Sequence, residues 1–173
     1  MSAFRDPRTF PFTAQLEAAF PTILGELQQL DAAAFAPAPD SLTTIEGRYD
    51  ETGWLWLSLV AAGGAPAPAL ARCPATARAL AAIPALHNAG FSRFLPGTHL
   101  YPHHGELPGV LRCHLALIVP RGDCAIRFGD ETRGWQPGHC LVFDDTLEHE
   151  AWNRGDGPRT VLLITFATHH QSP

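Results

Sequence analysis

The stretch Val110-Leu111-Arg112-Cys113-His114-Leu115-Ala116-Leu117-Ile118-Val119 decides the fold. Its side chains alternate between two faces if it is a strand. One face carries Leu111, Cys113, Leu115, Leu117 and Val119; it is wholly apolar and must be buried. The other carries Val110, Arg112, His114, Ala116 and Ile118, which sets a guanidinium and an imidazole into an otherwise apolar surface. A strand covered on both sides belongs to a sandwich or a barrel. Burying an unpaired charge costs several kcal/mol, so Arg112 needs an anionic partner. An internal carboxylate would make a structural ion pair; a bound anion would make this face the wall of a pocket.

The flanking sequence extends the pattern. Short runs rich in Val, Ile, Leu and Phe, separated by Gly, Pro and Asp turns, predict strands over Gly90–Leu95, Ala125–Phe128, Thr132–Trp135, Cys140–Phe143, His149–Trp152 and Arg159–Ala167. Regular short strands with turns between them indicate a jelly roll. The last strand repeats the first pattern. Thr160, Leu162, Ile164 and Phe166 share one face, and Arg159, Val161, Leu163 and Thr165 the other. A second arginine on a barrel strand strengthens the anion-pocket reading, because its planar fork suits a carboxylate. His103 and His149 fall near strand ends, and two imidazoles beside an anion pocket fit a non-haem iron site. His139 follows a Pro-Gly turn, His87 reads as a loop residue, and His169 and His170 as a solvated tail.

Upstream, Leu16, Phe20, Ile23, Leu24, Leu27 and Leu30 recur at spacings of three and four, which predicts a helix from Thr13, its expected N-cap. Pro21 predicts a kink or a break. Ala32–Pro39 and Ala61–Ala71 read as loops, with a buried strand around Trp54–Leu59 between them and a short helix over Ala75–Ala82. The expected architecture is mainly β: one domain over 1–173, with a double-stranded β-helix, jelly-roll or cupin-like, over 89–169 and the helices of 1–88 packed outside it.

Composition sets the outer limits. Of 173 residues, 46% are hydrophobic and 17% charged, which suits a packed core. All 12 basic residues are arginine, so chemistry that needs a lysine amine is excluded. A net charge of −5 with no basic stripe speaks against nucleic acid. No apolar run approaches the ~20 residues of a membrane span, and no signal peptide is apparent, so a cytoplasmic protein is expected. The four cysteines form no CxxC pair and read as thiols, three of them core filler.

From Phe91 to about His169 the sequence resembles the aspartyl/asparaginyl β-hydroxylases, iron(II)- and 2-oxoglutarate-dependent oxygenases on a double-stranded β-helix. The resemblance rests on Ser92, Pro96-Gly97-Thr98-His99, Pro102-His103-His104-Gly105, Arg112 through Pro120, Glu131-Thr132-Arg133-Gly134-Trp135, Phe143 through Trp152, and Arg159. It implies that His103 and His149 bind Fe(II) and that O2 takes an open position. It implies that Arg159 and Ser92 hold the distal carboxylate of 2-oxoglutarate, and that Arg112 and His114 lie at its other end. Trp54 matches an aromatic residue lining the cosubstrate site. Related oxygenases carry a carboxylate ligand two residues after the first histidine; Gly105 stands there, as it does in this family. A water then fills the position, with Glu106 the nearest acid that could substitute. Asp144 and Asp145 also match; they read as a turn cap, or as a partner for a ligand histidine.

The implied activity is hydroxylation of an aspartyl- or asparaginyl-like group on a peptide or small molecule. Two alternatives remain open. Gly97, His103, Glu106 and Pro137-Gly138-His139 resemble cupin motifs, which would suit a metal isomerase or a dioxygenase without 2-oxoglutarate. A non-catalytic barrel that binds a small ligand is the other.

Overall fold

The computed structural model describes residues 2–39, 53–105 and 107–168. Glu106, His169 and His170 therefore lie outside the described residues. Two antiparallel sheets face each other. The strands are β1 (Phe4–Arg5), β2 (Ala36–Pro37), β3 (Trp54–Val60), β4 (Leu86–Phe94), β5 (His99–His103), β6 (Val110–Ile118), β7 (Cys124–Phe128), β8 (Glu131–Gly134), β9 (Cys140–Phe143), β10 (His149–Asn153) and β11 (Arg159–Ala167). The large sheet has the order β1-β9-β6-β11-β4-β3-β2, and the small sheet β5-β10-β7-β8. This is the expected jelly roll.

The alternation in β6 and β11 separates two cores. Leu111, Cys113, Leu115, Leu162, Ile164 and Phe166 pack outward against helix α1 (Pro11–Gln28) and helix α2 (Pro74–Ala81). Ala116, Val161 and Leu163 point between the sheets, with Leu100, Ile126, Phe128 and Phe143. The outward core holds the N-terminal helices on the barrel. Two carboxylates of α1 add specific ties. Glu17 Oε1 accepts from the Cys140 backbone N–H at 2.8 Å. Glu26 accepts from the Ala75 and Thr76 backbone N–H groups at 2.6 and 2.9 Å, capping α2.

Several local expectations are corrected. Helix α1 begins at Pro11, not after Thr13. Proline at the first turn needs no acceptor for its missing N–H, and Thr13 Oγ1 donates back to the Pro7 and Phe10 carbonyls at 2.8 and 2.9 Å. Pro21 does not divide the helix. Leu16, Ile23 and Leu27 are fully or almost fully buried on either side of it. At about 1.5–3 kcal/mol each, the three together outweigh the ~3 kcal/mol cost of a mid-helix proline. His87 lies on β4, not in a loop. Ala36–Pro37 forms a two-residue edge strand within the expected first loop. Strands β1 and β5 have no counterpart in the sequence reading; β5 is Leu-Tyr-Pro flanked by histidines, a poor strand signal.

Candidate active site

Strand β5 brings the two histidines together. His103 and His149 are direct partners across the β5–β10 pair, and their ring centroids lie 4.0 Å apart. The Nδ1 of His103 hydrogen-bonds the Tyr101 carbonyl at 2.7 Å, and the Nδ1 of His149 the Leu147 carbonyl at 2.9 Å. A carbonyl only accepts, so each Nδ1 carries the proton and each Nε2 keeps its lone pair. That tautomer is the one a metal ion requires. The orienting partners are backbone carbonyls, so Asp144 and Asp145 do not fill that place. Burial keeps both rings neutral. It pushes His103 down to about 3, aided by His149 beside it. His149 is lowered for the same main reason.

All seven residues singled out from the sequence line one cavity between the sheets: Trp54, Ser92, His103, Arg112, His114, His149 and Arg159. The two arginines differ. Arg112 Nε donates to Asp145 Oδ2 at 2.6 Å, and its Nη1 donates to Thr165 Oγ1. The internal-carboxylate reading therefore accounts for these nitrogens. Arg159 is only 1% exposed, yet its Nε and Nη1 have no hydrogen-bond partner among the described residues. Its guanidinium lies between the Phe94 and Trp135 rings, 3.9 and 4.5 Å from their centroids. Burial lowers its pKa to about 10, so it stays charged at neutral pH. Ser92 Oγ lies in the same cavity and accepts from Trp54 Nε1 at 3.0 Å.

The structure adds residues that the sequence reading does not assign to the site. Asp144 caps the turn before β10, its Oδ1 accepting from the Thr146 N–H and hydroxyl. Asp145 instead enters the cavity, 4% exposed, with Oδ1 unpartnered among the described residues. Its carboxylate occupies the space beside Gly105: a Cβ at Gly105 would stand 2.4 Å from Asp145 Cγ and Oδ2. Glycine at 105 is thus a packing requirement of this site. Trp135 and Phe143 also line the cavity. The signal for Trp135 is faint: one aromatic after a polar edge strand. His139 has no place here; it is 57% exposed, 3.8 Å from Glu17. The cupin-like Pro137-Gly138-His139 segment therefore lies off the site.

Two paired imidazoles with open Nε2 atoms fit a divalent transition metal, and among the described residues no third histidine, cysteine or acid groups with them as a metal-binding cluster. A buried, unpaired guanidinium beside them fits a carboxylate. The scaffold that carries them is a jelly roll of two facing antiparallel sheets. Solved structures agree on the fold. The chain aligns with an oxidoreductase of the 2OG-Fe(II) oxygenase family from Burkholderia pseudomallei at TM-score 0.57, with 14% identity, covering 94% of this chain and 91% of that one. It aligns with a prolyl-4-hydroxylase from Pseudomonas putida at TM-score 0.54 and 18% identity, covering 90% and 88%.

The chain belongs to the aspartyl/asparaginyl β-hydroxylase family, which matches residues 17–169. It is 39% identical over 172 residues to an ornithine lipid ester-linked acyl 2-hydroxylase from Rhizobium tropici, covering 97% of this chain and 61% of that protein. It is 35% identical over 162 residues to human aspartate beta-hydroxylase domain-containing protein 1, covering 86% and 40%. Human aspartyl/asparaginyl beta-hydroxylase matches over 74 residues, 40% identical, 43% of this chain and 10% of that one. The chain thus spans only part of each relative's length.

Proposed function

We propose that this protein is an iron(II)- and 2-oxoglutarate-dependent hydroxylase acting on an acyl chain of an amphiphilic substrate. The observation that carries the cosubstrate reading is Arg159, a buried cation with two unpartnered nitrogens in the same cavity as His103 and His149. Iron(II) held by the two Nε2 atoms would supply oxygen activation coupled to oxidative decarboxylation of the keto acid. The protein's own residues do the rest. Arg159 and Ser92 take one carboxylate of 2-oxoglutarate, and the apolar walls from Leu100, Ile126 and Leu163 exclude water around the reacting C–H.

The substrate reading rests on exposed apolar side chains near the two histidines in sequence. The large hydrophobic residues exposed among those described are Tyr101, Leu107 and Leu147. They stand two residues before His103, four after it and two before His149. Apolar residues close in sequence to both histidines suit an acyl chain better than a carboxylate-bearing peptide, and one relative matched over 97% of this chain is named for acyl hydroxylation.

Purified protein given iron(II), 2-oxoglutarate and oxygen is to be offered acyl esters of amino-acid amphiphiles and, separately, aspartyl- and asparaginyl-containing peptides. Succinate release matched by a +16 Da acyl product is expected. A hydroxylated peptide in its place restores the aspartyl/asparaginyl substrate. Turnover without 2-oxoglutarate overturns the cosubstrate reading, and ligand binding with no oxygen uptake overturns the oxygenase reading.

A further inference from the structure

Trp135 follows β8 on the small sheet, and its indole crosses the cavity to β6 of the large sheet. There Nε1–H donates to His114 Nδ1 at 3.2 Å, with the two ring planes nearly parallel, 18° apart. An indole N–H can only donate. The Nδ1 of His114 must therefore be an acceptor. The ring is 7% exposed, and burial, with Arg159 and Arg112 nearby, holds it neutral. In a neutral imidazole the proton then sits on Nε2. Among the described residues nothing else hydrogen-bonds this ring, and it lines the cavity. The face of Trp135 also packs under the Arg159 guanidinium.

We propose that Trp135 is a positioning residue for the cosubstrate: by donating to Nδ1 it fixes the His114 tautomer and ring orientation, so that Nε2–H is presented to a carboxylate of 2-oxoglutarate in the cavity that both residues line. This rests on the cosubstrate reading above. With the opposite tautomer a lone pair would face the anion. One side chain thus sets both donors, one through a hydrogen bond and one through its π face.

The test uses zinc(II)-loaded protein, which cannot turn over because zinc(II) has no redox chemistry. Two-bond 1H–15N correlation spectra of the wild type should show His114 protonated on Nε2 and bare on Nδ1; this needs no variant. Trp135→Phe keeps an aromatic face under Arg159 and removes the donor. It should weaken 2-oxoglutarate binding roughly three- to tenfold by calorimetry, the scale of one hydrogen bond, and average the His114 signals between tautomers. In a His114→Ala background the same change should cost nothing further. A proton on Nδ1 in the wild type, unchanged affinity in Trp135→Phe, or an equal loss in both backgrounds overturns the inference alone. Failure of the wild type to bind 2-oxoglutarate overturns the cosubstrate reading, and the inference with it.

Discussion

Replacing Arg159 with methionine should stabilise the ligand-free protein and abolish its response to 2-oxoglutarate. The guanidinium is fully desolvated, which lowers its pKa from 12.5 to about 10. At about 1.4 kcal/mol per unit, that is about 3 kcal/mol of differential cost against the charged form. The two flanking rings return part of it, roughly 2 kcal/mol for desolvated cation–π contacts. The sign is fixed by linkage: a base whose pKa falls on folding carries its full cost below the folded value, so the penalty is constant through neutral pH and is relieved only above about 10. Methionine fills the aromatic slot without a charge. Ligand-free Arg159→Met should therefore be about 1–2 kcal/mol more stable in urea unfolding than the wild type. The ligand response reverses the ranking. Saturation at a hundredfold excess over Kd adds about 2.7 kcal/mol to the wild type, roughly 5–10 °C in Tm for a chain of this size; the variant should gain nothing. A less stable variant that still shifts with 2-oxoglutarate refutes the reasoning, since it would make Arg159 a structural cation and place the anion elsewhere.

His103→Ala and His149→Ala should each abolish manganese(II) binding, read by electron paramagnetic resonance, while the far-ultraviolet circular dichroism stays native; binding retained in either removes that residue from the site. Acid should unfold the protein early. His103 has a folded pKa near 3, so the unfolded chain takes up the proton first, and stability falls as pH drops below about 6.5. By pH 5 this residue alone costs about 2 kcal/mol, and urea midpoints in His103→Asn should show a flatter pH dependence; an unchanged slope assigns the acid sensitivity elsewhere. Gly105→Ala should lose about 1–3 kcal/mol by overpacking, because its Cβ would meet the Asp145 carboxylate at 2.4 Å. A variant as stable as the wild type would show that the site has room there, and Gly105→Asp would then be the direct test of a third ligand.

How much of this was legible in the sequence follows from which interactions are local. Strand β6 announced itself because alternation is a property of consecutive residues, and its two faces point to the two cores as read. Strand β5 did not, since Leu-Tyr-Pro between histidines has no periodicity to read. Yet β5 supplies the geometry that matters most: only its pairing with β10 sets His103 against His149. The pair of arginines shows the same limit at the level of charge. Alternation placed Arg112 and Arg159 correctly inside the barrel and demanded an anion for each. It could not say that the anion for Arg112 would come from Asp145, 33 residues away, while Arg159 would be left without one. That asymmetry separates wall from pocket. The carboxylate of Asp145 thus does two things: it fills the space beside Gly105 and it satisfies Arg112, so that among the described residues Arg159 keeps two buried nitrogens without a partner.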